Sequence, residues 1–358
     1  DIGKGRRPDS VEFATIDQDV MRRDLTINAL FYDIEKKQIV DYVGGLKDIE
    51  TNIIQTVGSP EERFEEDRLR ILRALRFAGR MGAGLNSETA AAIKANNSLQ
   101  GVSGERIRDE FLKGIKSAKS VPQFFSLVSE FGLWPQIFPG LNVDHSYSNT
   151  KNLVVQLALL LRNNEPKLLG NKLNAMKYSA DEVSGVQFLN MFQKLNIESA
   201  YKLKKLMVRT KLTGADLRLF AREANKPEEH LVDAFIRYEP SVTGEELQAQ
   251  GLTGQQIGQE INRRETELFR RMVCIRKLKS WLRHWWNQNL ALFHRKIIPF
   301  ILIWMVFWQI LKAELMLTLK PQQHGILIEK FWINFLSLKF YLMMTSKNDL
   351  QDLSQIQA

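Results

Sequence analysis

A chain of 358 residues, 44% hydrophobic and 25% charged, has enough apolar material for two or three folded domains and too little Gly and Pro for a disordered or fibrous polymer. Its single cysteine, Cys274, excludes an intrachain disulfide and a cysteine-based zinc site, which fits a reducing, cytoplasmic setting. The net charge of +9 invites a nucleic-acid partner, but residues 273–358 hold 11 basic and 4 acidic residues and leave 39 and 37 for residues 1–272. An RNA argument for the main body therefore rests on where particular arginines sit. The five histidines, at 145, 230, 284, 294 and 324, never reach metal-ligand spacing, and Asp144-His145 inverts the His-Asp order used by metal phosphohydrolases.

In chain order, the first elements are β-prone. Residues 11–13, 29–32 and 38–42 carry short apolar or β-branched runs, and residues 33–37 form a polar turn between the last two. Residues 1–45 thus read as the end of an α/β unit, with only helices after it. Ser59-Pro60-Glu61-Glu62 opens a helix with a cap residue, Pro at the first position and acids in the first turn. Asn86-Ser87-Glu88, Ser103-Gly104-Glu105 and Ser120-Val121-Pro122 start others. Near Arg271 the character changes: six of the seven tryptophans lie at or after Trp281, and Ile, Leu, Phe and Lys replace the acids. Residues 273–358 are expected to be an extension foreign to the rest, fused or read out of frame. On that reading, deleting residues 280–358 leaves folding and nucleotide binding unchanged. The apolar run 297–311 is short of the roughly 20 residues a membrane-spanning helix needs, and a membrane anchor is the alternative reading of this segment. No membrane partner is expected for residues 1–272.

Three constellations carry chemistry. In Arg22-Arg23-Asp24-Leu25-Thr26-Ile27-Asn28-Ala29, two cations and an amide are spaced to meet a triphosphate and a ribose hydroxyl, with a solvated helix start as the bland reading. Asp41-Tyr42-Val43-Gly44-Gly45 is an acidic strand end running into a tight turn, weak by itself. In Glu66-Asp67-Arg68-Leu69-Arg70-Ile71-Leu72-Arg73-Ala74-Leu75-Arg76-Phe77, a helix would place Asp67, Arg70 and Arg73 on an arc of roughly 120°, with Arg76 about 60° further round. Three arginines on one stripe repel unless an anion lies among them, which points to a phosphate. A salt-bridged surface helix with an Asp67–Arg70 pair is the alternative.

Taken in this order, the three constellations resemble motifs B, C and D of the class II tRNA nucleotidyltransferases, the family of CCA-adding enzymes and bacterial poly(A) polymerases. Gly5-Arg6-Arg7-Pro8-Asp9-Ser10-Val11-Glu12-Phe13 looks like the stretch that precedes motif B, and Val57-Gly58-Ser59-Pro60 like the approach to motif D. Glu105-Arg106-Ile107 with Glu110-Phe111-Leu112-Lys113 is similar to motif E, and Gly251-Leu252-Thr253-Gly254 with Ile257-Gly258 to a segment near the family's C-terminus. Arg68 departs from the Pro that many bacterial members carry.

The resemblance implies an α+β head remnant followed by all-α neck, body and tail domains. The implied divisions are 1–45 for the end of the head, 46–120 for a nucleotide-reading neck and 121–272 for a tRNA-binding body and tail. It implies template-independent addition of C and A to the 3′ end of tRNA from CTP and ATP. The alternatives are a poly(A) polymerase of the same family and a non-catalytic RNA-binding remnant. By position, Asp67 and Arg70 would read the base, Arg23, Arg73 and Arg76 would hold phosphate or sugar, Asn28 would fix the ribose, and Asp24 belongs to the same nucleotide-binding set. A carboxylate accepts from the exocyclic amine of cytosine or adenine, whereas uracil and guanine present a carbonyl oxygen there. The family's magnesium ions sit on an Asp-x-Asp pair upstream of motif B, and no residue of this chain matches it. Asp17-Gln18-Asp19 has the spelling but the wrong place, so no catalytic and no metal residue is assigned. The chain is expected to lack its metal-binding beginning and to bind nucleotides without transferring them.

Overall fold

The structure is a computed structural model that describes the backbone of residues 15–289 and the side chains of residues 15–277. The stretch before motif B, at residues 5–13, and the apolar run 297–311 lie outside the described residues.

The first elements are α1 (Ile16–Met21), a 3₁₀ turn (Thr26–Asn28) and a hairpin of β1 (Phe31–Asp33) and β2 (Gln38–Val40). The hairpin is antiparallel, with Tyr32 opposite Ile39, and its polar turn is held by the Asp33 carboxylate, which accepts from the amides of Glu35 and Lys36. Its inner face, at Phe31, packs on a small core of Val20, Ala29 and Val57. The β-runs at 29–32 and 38–42 and the polar turn between them are therefore where the sequence places them, and the run at 11–13 lies outside the described residues. The expectation of helices only after residue 45 fails in one detail. Beyond α2 (Gly45–Thr51), β3 (Ile53–Ile54) pairs in parallel with β4 (Gly84–Leu85). Two residues per strand are too few to show an alternating pattern, and the pairing partner lies 31 positions away.

The helix starts are as predicted. In α3 (Pro60–Glu66), Ser59 accepts from the Glu62 amide, and in α5 (Ser87–Ala95) Asn86 accepts from Glu88 and Thr89. Between them, α4 (Leu69–Met81) ends at Gly82, whose φ of +68° suits glycine. Ser103 and Ser120 cap α6 (Gly104–Ser117) and α7 (Val121–Glu130). With α8 (Trp134–Ile137), these helices enclose an aromatic core of Phe111, Phe124, Phe125, Trp134 and Phe138. In it, the rings of Phe111 and Phe125 stack at 5.8 Å and Phe111 meets Phe138 edge-on at 5.3 Å. Burying each ring contributes roughly 1.5–3 kcal/mol. Gly79 of α4 and Gly114 of α6 are required here, because a Cβ on either would sit 2.9 Å from Phe124 Cβ or 2.3 Å from Phe124 Cζ. The close approach they permit locks α4, α6 and α7 together.

A second helical layer follows: α9 (Leu153–Leu160), α10 (Pro166–Ala175), α11 (Ala180–Phe192), α12 (Ala200–Met207), α13 (Gly214–Ala224) and α14 (Glu229–Arg237). Its core is built from Leu157, Leu160, Val186, Phe188, Phe192, Phe220 and Phe235. The chain divides into two compact units, Asp1–Pro240 and Ser241–Ala358, at a point where composition marks no boundary. In the second unit, α15 (Gly244–Ala249) precedes α16 (Gln255–Asn289), whose buried Glu265 accepts from the amides of Ser241 and Val242 at 2.6 Å. The helix α16 runs without a break across residue 272, and Val273 and Ile275 are buried. The change in composition therefore falls inside an element and not at its end. No helix among the described residues is long and apolar enough to cross a membrane.

Candidate nucleotide site

The Arg22 to Ala29 segment runs from the end of α1 into the 3₁₀ turn. It is tied to the strand-like residues 55–57, where Thr26 N donates to Gln55 O at 3.0 Å and Val57 N to Asp24 O at 3.2 Å. The second constellation supports the first. Asp41 Oδ1 accepts from the amides of Val43, Gly44 and Gly45, and Oδ2 from Leu46, so the carboxylate organises the start of α2. Burial pushes the Asp41 carboxyl up, but these four amides outweigh it and hold it below the ordinary value. A Cβ on Gly45 would lie 2.3 Å from Thr26 O, so only glycine lets α2 press against the 3₁₀ turn. Asp48 completes the brace by accepting from Thr26 Oγ1 at 2.6 Å.

The third constellation departs from the continuous helix assumed for it. Asp67 is not on α4. It terminates α3 in extended conformation (φ −150°, ψ 103°), and α4 begins at Leu69 with Arg68 at its N-cap. The physical reason is local: Asp67 Oδ1 accepts from Leu69 N at 3.1 Å, so the side chain stops one helix and starts the next. The pattern of Asp67, Arg70 and Arg73 three apart thus does not make one stripe. The Asp67–Arg70 surface pair is also not what the carboxylate forms. Asp67 Oδ2 instead accepts from Arg106 Nη2 of α6 at 2.6 Å.

Arg70, Arg73 and Arg76 of α4 each find a carboxylate within the protein, which relieves their mutual repulsion. Arg70 donates to Glu66 at 2.5 Å and to the carbonyls of Arg63 and Arg22. Arg73 pairs with Asp24 at 2.6 Å. Arg76 is buried against Glu110 of α6, and its guanidinium lies 4.1 Å from the centre of the Phe77 ring. Arg23 donates to Asp19 and to Asn28 O, and covers the Phe31 ring at 4.7 Å. The Asn28 amide reaches Asp24 Oδ1 at 3.4 Å. Burial pushes the Asp24 carboxyl up, yet the hydrogen bond and charge of Arg73, with smaller help from Asn28 and the Leu25 amide, leave it below its usual range. Burial likewise disfavours the charged Arg73, but Asp24, Glu110 and Asp67 raise its pKa on balance.

Of the seven nucleotide-site residues expected from sequence, Asp24, Asn28 and Arg73 meet directly, and Arg23 joins them through the Asn28 carbonyl. Arg70 reaches the same segment through Arg22 O. Arg76 does not join: with 8% of its surface accessible and its charge committed to Glu110, it fastens α4 to α6. Arg106 and Glu110 were visible only as parts of a motif, because their partners are 39 and 34 positions away. Their spacing on α6 was the available signal, since positions i and i+4 share a helix face.

Asp17 and Asp19 lie on α1, where residues two apart point roughly 200° away from one another, so the Asp-x-Asp spelling is not a ligand pair. On a strand the same spacing would put both on one face. Asp19 is also engaged by Arg22 and Arg23, whose hydrogen bonds lower its pKa. A shallow open depression lies beside this helix, lined by Asp17, Gln18, Met21, Arg22, Arg63 and Glu66.

The structure thus gathers the cationic 22–29 turn and two arginines of α4, Arg70 and Arg73, in one place. Residues 1–55 match the Poly A polymerase head domain, and residues 84–144 the family described as a probable RNA and SrmB-binding site of polymerase A. The chain is 45% identical over 139 residues to the CCA-adding enzyme of Bacillus licheniformis, covering 38% of this chain and 34% of that protein. It is 33% identical over 234 residues to the CCA-adding enzyme of Lactobacillus johnsonii, covering 59% and 56%. It is 37% identical over 128 residues to poly(A) polymerase I of Escherichia coli, covering 36% and 27%. Among solved structures, the Bacillus stearothermophilus CCA-adding enzyme in complex with CTP superposes with a TM-score of 0.53 at 24% identity, covering 73% of this chain and 70% of that one. The relatives and family models that the chain resembles are those of CCA-adding enzymes and poly(A) polymerase, each over part of its length. The matches span about a third of the length of the first curated relatives.

Proposed function

We propose that this chain selects CTP and ATP by protein side chains alone and serves the addition of C and A to the 3′ end of tRNA. The observation that carries the reading is convergence: segments around Asp24, Asp67 and Arg106 are far apart in sequence, yet Arg73–Asp24 and Arg106–Asp67 join them. In this reading Asp67 accepts from the exocyclic amine of the base and Arg70 donates beside it. Arg23 and Arg73 face phosphate, Asn28 the ribose, and Asp24 orients Arg73 and Asn28. A wrong base leaves polar groups unpaired, which is the strongest form of discrimination a small pocket has. The helices within residues 84–144, matched to a family described as a probable RNA-binding site, are the surface proposed for the tRNA acceptor end.

Magnesium is the metal the resemblance implies. The acids at hand do not fit it, because Asp24 and Asp67 are engaged by Arg73 and Arg106 and Asp17 and Asp19 diverge on α1. Poly(A) addition is the second reading, supported by the match to Escherichia coli poly(A) polymerase I.

The test is equilibrium binding of CTP, ATP, UTP and GTP to the full chain, followed by labelled CTP and ATP incorporation into tRNA lacking its 3′ end. Binding that favours CTP and ATP supports the reading, and equal binding of all four overturns it. A run of A from ATP alone assigns poly(A) addition.

A further inference from the structure

We infer that Asp19 is a resident competitor for Arg22 and Arg23: its carboxylate occupies the guanidinium edges on which the phosphates of a nucleotide would sit, and so tempers the affinity for phosphate-bearing ligands. The inference rests on the phosphate-facing role proposed for Arg23 and gives a function to an acid whose place in an Asp-x-Asp spelling is otherwise empty of chemistry.

One carboxylate serves two cations. Asp19 Oδ1 accepts from Arg22 Nε at 2.8 Å and Nη2 at 2.5 Å, and Oδ2 from Arg23 Nε at 3.2 Å and Nη2 at 3.0 Å. In an arginine, Nε and Nη2 form an edge that grips a carboxylate or a phosphate through two parallel hydrogen bonds. That edge is taken in both arginines by a single anion of the protein. Arg23 keeps its place without it, because Nη1 donates to Asn28 O at 2.8 Å and the guanidinium covers the Phe31 ring at 4.7 Å. Asp19 therefore fills the edge of Arg23 and is not needed to aim it. The exchange is open to a ligand: the side chains of Arg22, Arg23 and Asp19 are 48%, 37% and 28% accessible, so water screens both pairs and neither is strongly held. A carboxylate carries one negative charge, whereas a phosphate group carries about 1.5–2. The phosphate wins the exchange, yet binds less tightly than it would to arginines left open. Asp17, on the same helix, makes no ion pair among the described residues and so supplies the control.

The experiment measures equilibrium binding of CTP, cytidine and inorganic tripolyphosphate to the full chain and to Asp19→Asn, Asp19→Ala, Asp17→Asn and Arg23→Ala, with circular dichroism to check folding. Both Asp19 variants are expected to tighten CTP and tripolyphosphate about threefold to fivefold, the range that release of an exposed ion pair supplies, and to leave cytidine unchanged. Asp17→Asn removes the same charge from the same helix and should change CTP binding less than either. Unchanged or weaker CTP binding in a folded Asp19 variant overturns the inference, since a residue that merely orients the arginines loses affinity when removed. An equal gain in Asp17→Asn, or an equal gain for cytidine, overturns it as well, because the effect is then not exchange at the phosphate. The two Asp19 variants are independent, and one that folds is enough to decide. Arg23→Ala separates the two levels. If it leaves CTP and tripolyphosphate binding intact, the phosphate role of Arg23 fails and the inference with it; if it weakens both and the Asp19 variants tighten neither, only the competitor role fails.

Discussion

Replacing Glu110 by Ala removes the carboxylate that neutralises Arg76 where both side chains are almost entirely enclosed, at 10% and 4% accessible. Breaking a buried pair from one side leaves an uncompensated charge, which costs about 3–5 kcal/mol. In a unit of this size each kcal/mol moves the melting midpoint by roughly 2–4 °C, so a fall of about 6–20 °C is expected. The Phe77 ring, 4.1 Å from the Arg76 guanidinium, offsets a small part of that, about 0.5–1 kcal/mol. Replacing both partners together, as Arg76→Met with Glu110→Leu, should cost far less than the sum of the single changes, because no charge is then stranded. The assay is urea and thermal unfolding of Glu110→Ala and of the four members of the Arg76→Met, Glu110→Leu cycle, followed by circular dichroism, with CTP binding measured on each. Two results refute the reasoning. If Glu110→Ala costs under about 1 kcal/mol, the pair does not fasten α4 to α6. If the double variant is stable but binds CTP much more weakly, Arg76 contacts the nucleotide after all.

Asp67→Ala should relax the preference for CTP and ATP, while Arg73→Ala should weaken all four nucleotides alike, measured by equilibrium binding; equal losses in both would leave Asp67 a structural partner of Arg106. Gly45→Ala drives a Cβ to 2.3 Å from Thr26 O and should cost about 1–3 kcal/mol in urea unfolding and weaken CTP binding through the Asn28 turn, whereas Gly44→Ala, with open space around it, should carry only the strain of its φ of +82°. Burial raises the Asp144 carboxyl, but Ser146 and Arg162 prevail and bring it to about 2 from 3.8. Its folded value lies below its unfolded one, so its stabilisation is present above about pH 4 and is lost as pH falls toward about 2; Asp144→Asn should flatten that acid limb in a series of melts. Deleting residues 290–358, which keeps the described length of α16, should leave CTP binding unchanged and improve soluble yield without detergent; loss of binding would assign that segment to the folded protein.

Local chemistry made much of this protein readable from its sequence. Ser59, Asn86, Ser103 and Ser120 mark helix starts because a short polar side chain captures a free amide within its own turn, an interaction that needs no distant partner. The hairpin of β1 and β2 is local for the same reason, and the ordered arginine and aspartate motifs carried the family resemblance. Pairing across the fold was beyond that reach. The same Asp67 that a helical repeat joins to Arg70 turns instead to Arg106, because a two-residue break between α3 and α4 reorients it and the α4–α6 packing around Gly79, Gly114 and Phe124 brings Arg106 within 2.6 Å. Arg70, Arg73 and Arg76 look equivalent in a periodic sequence, yet their carboxylates come from three different elements, and only burial separates Arg76, which braces the helices, from Arg73, which remains one third accessible beside Asp24. Side-chain identity is written in the chain, whereas the competition among several acids for one arginine is settled by distance and desolvation, and those exist only once the helices have packed.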